Sequence, residues 1–308
     1  MTIAFIHRGT AILPEIAAYR TYFEAIGYTV IECGPDAVAT LKPDIEWHFL
    51  GMHRRRQQPG GLVIHEYASL SAAPFAKGKD RLKRALNTQP DYRIFLNEFT
   101  RTGLNFRDEV PWGIRSTIFL PGKNIANPVK KYDFVYAGTL EKSREPEKWL
   151  NWFLPGGPLE NKQLLVLAPK REELEKKYNY PWIRFHGKVR PEEVHELLQE
   201  ARFGINYQPD KSPFNQQPSS KFLAYAAARI GIISTRYEWV QEFRERYGGA
   251  YYMVETRAPE ISFTDIEQFP YEQPDLREWT MEYQLERSGI LAFLKQQGYY
   301  PEIRITAQ

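Results

Sequence analysis

Short apolar runs alternate along the chain with longer stretches in which apolar residues recur every three or four positions. The run at residues 3–7 reads as a buried strand, and the spacing of Ile16, Tyr19, Phe23 and Ile26 predicts a helix over 14–26, opened by Pro14 and closed by Gly27. Residues 28–32 return to strand. Further strands are predicted at 45–50, 62–64 and 93–96, with a short basic helix at 80–87. A second series opens at Tyr132, with strands at 133–138, 164–167, 183–186, 203–207 and 231–235 and helices at 170–178, 191–201 and 219–228. Strands and helices in alternation bury a parallel sheet between helical layers, so the fold class is α/β. The series break at the polar stretch 124–131, which holds Pro128. Two doubly wound, Rossmann-like domains facing across a cleft are therefore expected, at 1–129 and 130–274. Ligands of such sheets sit beyond the carboxyl ends of the strands.

Composition narrows the class. Hydrophobic residues make up 43% of the 308 positions, enough for two cores. The longest apolar runs, 164–168 and 230–233, fall far short of the roughly 18 residues of a membrane helix. The first residues read as strand with no basic leader, so no signal peptide is expected. Cys33 is the only cysteine, which suits a reducing compartment and a cytoplasmic location. The net charge of +3 is unevenly spread. Residues 51–90 hold eight Lys and Arg (Arg54, Arg55, Arg56, Lys77, Lys79, Arg81, Lys83 and Arg84) against Glu66 and Asp80. Solvated charge explains such a run, and so does peripheral contact of 54–56 and 77–84 with an anionic membrane at the inner face. Nucleic acid is not an expected partner, since no aromatic-rich reader module accompanies the charge. No Asp-x-Asp triplet, helical histidine pair, P-loop, nucleophile elbow or dinucleotide-binding glycine motif occurs. No metal or other cofactor is expected.

Three segments of the second half carry candidate chemistry. At the end of the strand that opens the series, Gly138 and Thr139 form a turn where backbone can approach a ligand, and Lys142 and Arg144 can neutralise phosphate oxygens. An ordinary strand-to-helix turn with solvated charges reads the same way. His186 and Gly187 end another strand before a Pro-initiated helix, at a place where backbone groups can meet a flat base or simply turn the chain. The third segment runs from Pro213 through Gln216, Gln217, Pro218, Ser219, Ser220 and Lys221 to Thr235. Its serines start a helix whose free N–H groups and positive dipole end suit a diphosphate, with Lys221 in the first turn.

The order of these segments resembles the nucleotide-sugar-binding domain of GT-B glycosyltransferases, especially glycosyltransferase family 4 and its relatives. A Tyr-x-Gly turn, a strand ending in Gly before a helix and a Pro-Ser-Lys-Φ-Φ-Glu-Tyr-x-Ala-x-Gly-x-Pro-Val-Ile-x-Thr segment recur there. The last pattern matches Pro218 to Thr235, and the resemblance spans about 132–240. Two positions depart from it. The family's pair of glutamates falls on Gln216 and Ala224, and an alanine offers ribose hydroxyls no acceptor. The glycine after the alanine run is Arg229.

The resemblance implies a metal-independent transferase moving a sugar from a nucleotide-diphosphate sugar to a carbohydrate or lipid-linked acceptor hydroxyl, in polysaccharide or glycolipid synthesis. Its last helix, about 275–308, is expected to pack back on the first domain. A nucleotide-sugar 2-epimerase of the same fold, or a catalytically silent sugar-nucleotide-binding protein, are the alternatives. Donor contacts fall on Gly138, Thr139, Lys142, Arg144, His186, Gly187, Gln216, Gln217, Ser219, Ser220 and Lys221. In the first half, His65 and Glu66 follow the strand predicted at 62–64, so Glu66 is expected to be the catalytic base, with His65 as substitute. A buried histidine beside an exposed glutamate is the plainer reading of that pair. Gly9, Thr10 and Glu98 complete the acceptor side.

Overall fold

The computed structural model describes residues 1–9, 13, 15–49, 52–56, 60–71, 75–119, 122–256 and 260–301. It consists of two compact units, one formed by Met1–Ile118 with Trp279–Gln308 and the other by Phe119–Glu278.

The first unit is built on six strands: β1 (Thr2–Ile6), β2 (Thr29–Cys33), β3 (Ile45–Phe49), β4 (Leu62–Tyr67), β5 (Tyr92–Phe95) and β6 (Trp112–Ile114). They lie in the order β2-β1-β3-β4-β5-β6, every pair parallel. The second unit holds β7 (Tyr132–Ala137), β8 (Leu164–Leu167), β9 (Ile183–Phe185), β10 (Ala201–Asn206), β11 (Gly231–Thr235) and β12 (Tyr252–Val254). Its order is β12-β11-β10-β7-β8-β9, again all parallel. Strand order reverses once in each sheet, between β1 and β3 and between β7 and β10. At such a switch point, connections leave in opposite directions and open a crevice. Both sheets are covered by helices, so inner strands such as Ile3–Ile6 and Leu164–Leu167 are buried on both faces and read as unbroken apolar runs. The fold class is α/β, as the alternation predicted. The three-residue edge strands β6 and β12 escaped prediction.

The units part at Ile118/Phe119 and again at Glu278/Trp279. The polar stretch 124–131 belongs to the second unit, because Ile125 N–H donates to Gln199 Oε1 (2.7 Å) and Lys130 Nζ to the carbonyls of Gln199 (2.8 Å) and Ala201 (2.9 Å). In the first unit, the helices Met281–Arg287 and Ile290–Gln296 lie against the β5–β6 edge. Ser116 N–H donates to Gln284 Oε1 (2.7 Å), and the Tyr92 hydroxyl to the Ser288 carbonyl (2.6 Å). That carbonyl lies 1.8 Å from where a Cβ on Gly113 would stand, so only glycine admits the approach.

One strand is longer than its pattern showed. β4 runs through to Tyr67 with all six residues buried, so His65 and Glu66 sit inside the strand and not at its end. Adjacent strand residues point to opposite faces. On one face, Glu66 accepts from Tyr19 Oη (2.8 Å) and Trp47 Nε1 (2.8 Å) and pairs with the guanidinium of Arg115, itself fully buried. Phe5, Tyr19, Phe23 and Trp47 enclose the pair in a ring cluster. Burial alone would lower the Arg115 pKa, but Glu66, Tyr19 and Glu15 hold it above the usual arginine value. Burial likewise raises the pKa of Glu15 nearby. The expected base at Glu66 is therefore corrected: its carboxylate neutralises a buried cation and meets no solvent.

Removing one charge of such a pair strands the other in a dry core. Glu66→Gln, which keeps the shape, is expected to cost the first unit about 3–5 kcal/mol in urea unfolding. A loss below about 1 kcal/mol would show that Arg115 finds another partner.

Candidate functional site

The crevice of the second unit opens at the carboxyl ends of β7 and β10. The last registered pair between these strands is Gly204 with Val135. Beyond it the strands separate, and the Tyr225 hydroxyl stands in the gap, accepting from Ala137 N–H (2.9 Å) and donating to the Ile205 carbonyl (3.2 Å). A Cβ on Gly204 would fall 2.4 Å from the Tyr225 ring, so the glycine allows the helix Ser220–Ala227 to lie this close to the sheet.

That closeness sets the first turn of the helix over the end of β7. Gly138, at φ +154°, leaves the strand there, and Lys221 Cδ lies 3.1 Å from the position of its absent Cβ. The Lys221 ammonium lies 5.6 Å from the centroid of the Tyr136 ring, which stacks on Trp149 at 4.4 Å. Burial, and then the neighbouring Arg144 charge, pull the Lys221 pKa down to about 7. Arg144 donates to Gln208 Oε1 (2.8 Å), lies 4.3 Å over the Phe214 ring, and has its own pKa lowered by burial. Neither cation joins an ion pair among the described residues. Two cations, a helix start and a glycine backbone thus converge on one spot at the switch point, an arrangement that favours a multiply charged anion.

The other expected donor residues divide. Ser219 is buried and caps the helix, its Oγ accepting from Phe222 N–H (3.3 Å) and donating to Asn206 Oδ1 (2.7 Å). Its hydroxyl is not presented to a ligand, which corrects that assignment; the exposed Ser220 begins the helix proper. Gln217 is buried, and Gln216 donates to Glu238 Oε2 (2.8 Å) at the start of the helix Glu238–Tyr247. Thr139 is half-buried and gives its carbonyl to Tyr136 Oη (2.8 Å), whereas Lys142 is exposed on the following turn. His186 is exposed at the end of β9, with Gly187 at φ +93° after it, two strands from the switch point. A pocket of about 490 Å³ borders the site, with Glu145, Lys148, Trp152, Tyr207 and Asp210 in its wall.

In the first unit, His65 lies on the opposite face of β4 from Glu66 and is fully buried, its pKa held well below the usual histidine value by burial and then by His48, His53 and Arg93. It reaches no acceptor, so the substitute base is corrected as well. Gly9 takes φ +70°, its N–H donating to His7 Nδ1 (3.1 Å), and Thr10 lies outside the described residues. Glu98 stands exposed at the start of the helix after β5, and its hydrogen bonds with Arg101 lower its pKa.

No protein-family model matches the chain, and no curated protein does. Solved structures do. HepE of Anabaena, in complex with UDP and glucose, superposes with a TM-score of 0.56 at 10% identity, over 97% of this chain and 98% of its own. AviGT4, a glycosyltransferase involved in avilamycin A biosynthesis, gives 0.55 at 12% identity over 96% of each chain. Sucrose-phosphate synthase from Thermosynechococcus elongatus gives 0.54 at 13%, over 83% of this chain and 86% of its own. The fold is that of the GT-B glycosyltransferases.

Within this GT-B chain the departures seen in the sequence take on physical form. Arg229 occupies the family's glycine position at φ +55°, a left-handed backbone that costs an arginine about 1–2 kcal/mol. Tyr225, Asn206, Gln208 and Phe214 were not singled out beforehand. Tyr225 matches the tyrosine of the family segment, but its role shows only where β7 and β10 separate.

Tyr225→Phe leaves Ala137 N–H without its buried acceptor and is expected to lower the stability of the second unit by about 1–3 kcal/mol. Chemical unfolding of the variant checks this. A change within about 0.5 kcal/mol would mean the strands close on each other without the hydroxyl.

Proposed function

We propose that the chain is a glycosyltransferase that takes a sugar from a nucleoside-diphosphate sugar, with Lys221, Arg144 and the first turn of the helix Ser220–Ala227 holding the diphosphate. One observation carries the reading: two half-buried cations at the switch point, neither in an ion pair among the described residues. Burial penalises each charge until an anion arrives, so a diphosphate gains what the empty site lacks. The UDP held by HepE supports a uridine donor. As the bond from the anomeric carbon to the diphosphate oxygen breaks, charge builds on the leaving group, where Lys221 and Arg144 stabilise it. The acceptor hydroxyl oxygen bonds to the anomeric carbon and gives up its proton. These two side chains supply the charge that a divalent ion gives other transferases, so phosphate binding needs no metal. The adjoining pocket of about 490 Å³ has the size of a small-molecule site and gives room for the rest of the donor. On the acceptor side the proposal keeps Gly9 and Glu98, an exposed carboxylate that can take the proton, though its hydrogen bonds with Arg101 lower its pKa and make it a weaker base.

UDP titrated calorimetrically in chelating buffer should bind, and Lys221→Met should weaken it by about 1–3 kcal/mol. The pH dependence has a definite sign. In the empty site Lys221 is charged below about 7 and neutral above it. A bound diphosphate favours the charged form, so affinity falls as pH rises past that value and binding takes up a proton. The enthalpy at alkaline pH should therefore vary with the buffer's ionisation heat in the wild type and not in Lys221→Met. Unchanged affinity in a folded variant, or UDP binding only with added Mg²⁺, overturns the assignment; a panel of nucleotide sugars then tests transfer itself.

We place the acceptor at an anionic membrane surface on the cytoplasmic side. Along the helix Ala76–Leu86, Leu82 (50% exposed) and Leu86 share a face, with Phe75 (84%) exposed at the helix start; Lys79 flanks that face, and Lys77, Arg81, Arg54 and Arg55 are exposed as well. Such a helix lies in the lipid interface, its cations drawn to acidic headgroups. Arg56 and Lys83 are spent on Asp91 and Asp80, and Arg84 donates to the Asn105 carbonyl. Among the described residues, no helix is long and apolar enough to cross a membrane. The chain should sediment with phosphatidylglycerol vesicles and not with phosphatidylcholine vesicles, and Leu82→Asp with Arg81→Glu should abolish this. Equal partition to both vesicle types would refute the contact.

A further inference from the structure

The first unit carries a cluster of ligand-type side chains that the transfer reaction does not use. Glu46 and His48 lie two positions apart on β3 and so share a face. His53, beyond the strand, returns over the same face and stacks its ring on His48, with centroids 3.8 Å apart and planes within 17°. Glu46, His48 and His53 are all buried, and one ligating atom from each lies within 4.8 Å of the others. We infer that Glu46, His48 and His53 form a binding site for a single divalent transition-metal ion of the zinc class.

The hydrogen bonds of the cluster leave two atoms over. His48 Nε2 meets Glu46 Oε2 at 3.0 Å, and His53 Nδ1 meets His65 Nε2 at 2.8 Å. Glu46 Oε1 and His53 Nε2 are buried with no partner. His65 Nδ1 lies 3.4 Å from the Tyr67 hydroxyl. If His65 donates from Nδ1, its Nε2 accepts the His53 Nδ1 proton, and the lone pair of His53 then sits on the unpartnered Nε2. A buried carboxylate oxygen and a buried imidazole lone pair, both without a partner, are the donor types that bind a transition-metal cation. A metal ion meets both atoms together, with both rings neutral.

The donor set selects the ion. Two imidazole nitrogens and one carboxylate oxygen suit zinc and its neighbours and leave a fourth position for water, whereas Mg²⁺ and Ca²⁺ demand oxygen ligands. Ligands about 2.0–2.2 Å from zinc lie about 3.3–3.6 Å apart in a tetrahedron, so binding turns the His48 and His53 rings out of their stack as the three ligating atoms, within 4.8 Å of one another, close on the ion. His65 is then a positioning residue, holding His53 in the ligating tautomer through its other nitrogen.

The test uses the full chain without a histidine tag, stripped of metal under native conditions. Co²⁺ titration should develop the visible absorption of a tetrahedral centre and saturate at one equivalent, and Zn²⁺ should displace it and raise the wild-type melting temperature. Glu46→Gln and His53→Asn should each lose the absorption, while replacing the exposed His186 should leave it intact. Far-UV circular dichroism and the urea unfolding transition of each variant show whether the first unit is folded. Because a change at so buried a cluster can unfold the unit, the wild type carries the decisive arm. Failure of the stripped wild type to bind Co²⁺ or Zn²⁺ overturns the site, as does one full equivalent retained by both folded variants.

Discussion

The hydroxyl of Tyr225 stands where two parallel strands part, and the geometry of the second unit's site follows from it. At a switch point the edges of β7 and β10 can no longer pair, which would leave a buried N–H and a buried carbonyl unpaired. Tyr225 satisfies Ala137 and Ile205 together, and Gly204 gives its ring room. Because Tyr225 is anchored there, its helix lies hard against the sheet, and the first turn of that helix brings Lys221 to the end of β7 beside Gly138. The site is thus a by-product of closing a gap in the sheet.

The first unit shows what happens when polar residues fill both faces of one inner strand. β4 sends Glu66 to one side and His65 to the other, and neither side is open to water. Each must then be matched locally. Glu66 is matched by Arg115, Tyr19 and Trp47, and His65 by His53 and Tyr67. The first set is complete. The second ends in Glu46 Oε1 and His53 Nε2, two acceptor-type atoms facing nothing, and this incompleteness separates a structural ion pair from a candidate ligand set.

Electrostatics follow the same contrast. Arg115 is buried against a carboxylate and holds its proton more tightly than a free arginine; Lys221 and Arg144, half-buried near each other, hold theirs less tightly. The contrast lies in whether the opposite charge comes from the chain. Where it does, the pair is structure. Where it does not, the cations are left for the anion of the proposed function.

The sequence by itself determined the α/β class, the two series of strands and the helix that starts after Ser219, and it singled out Gly138 and Lys221, which the fold brings together. Those features depend on local periods, caps and a backbone without a Cβ, all written in neighbouring residues. It misread His65 and Glu66, because the apolar run 62–64 hides a strand that continues through Tyr67. A polar residue ends a strand only if nothing in the fold can neutralise it. The residues that do so here, Arg115 for Glu66 and His53 for His65, are distant in sequence from the strand's end or belong to no regular pattern. Glu46 and His48 escaped for a related reason, since their two-residue spacing is a ligand spacing only on a strand whose face is closed by His53. Which charges are paired, which are left over, and where two strands part were decided by the tertiary structure, because each depends on which segments pack against one another.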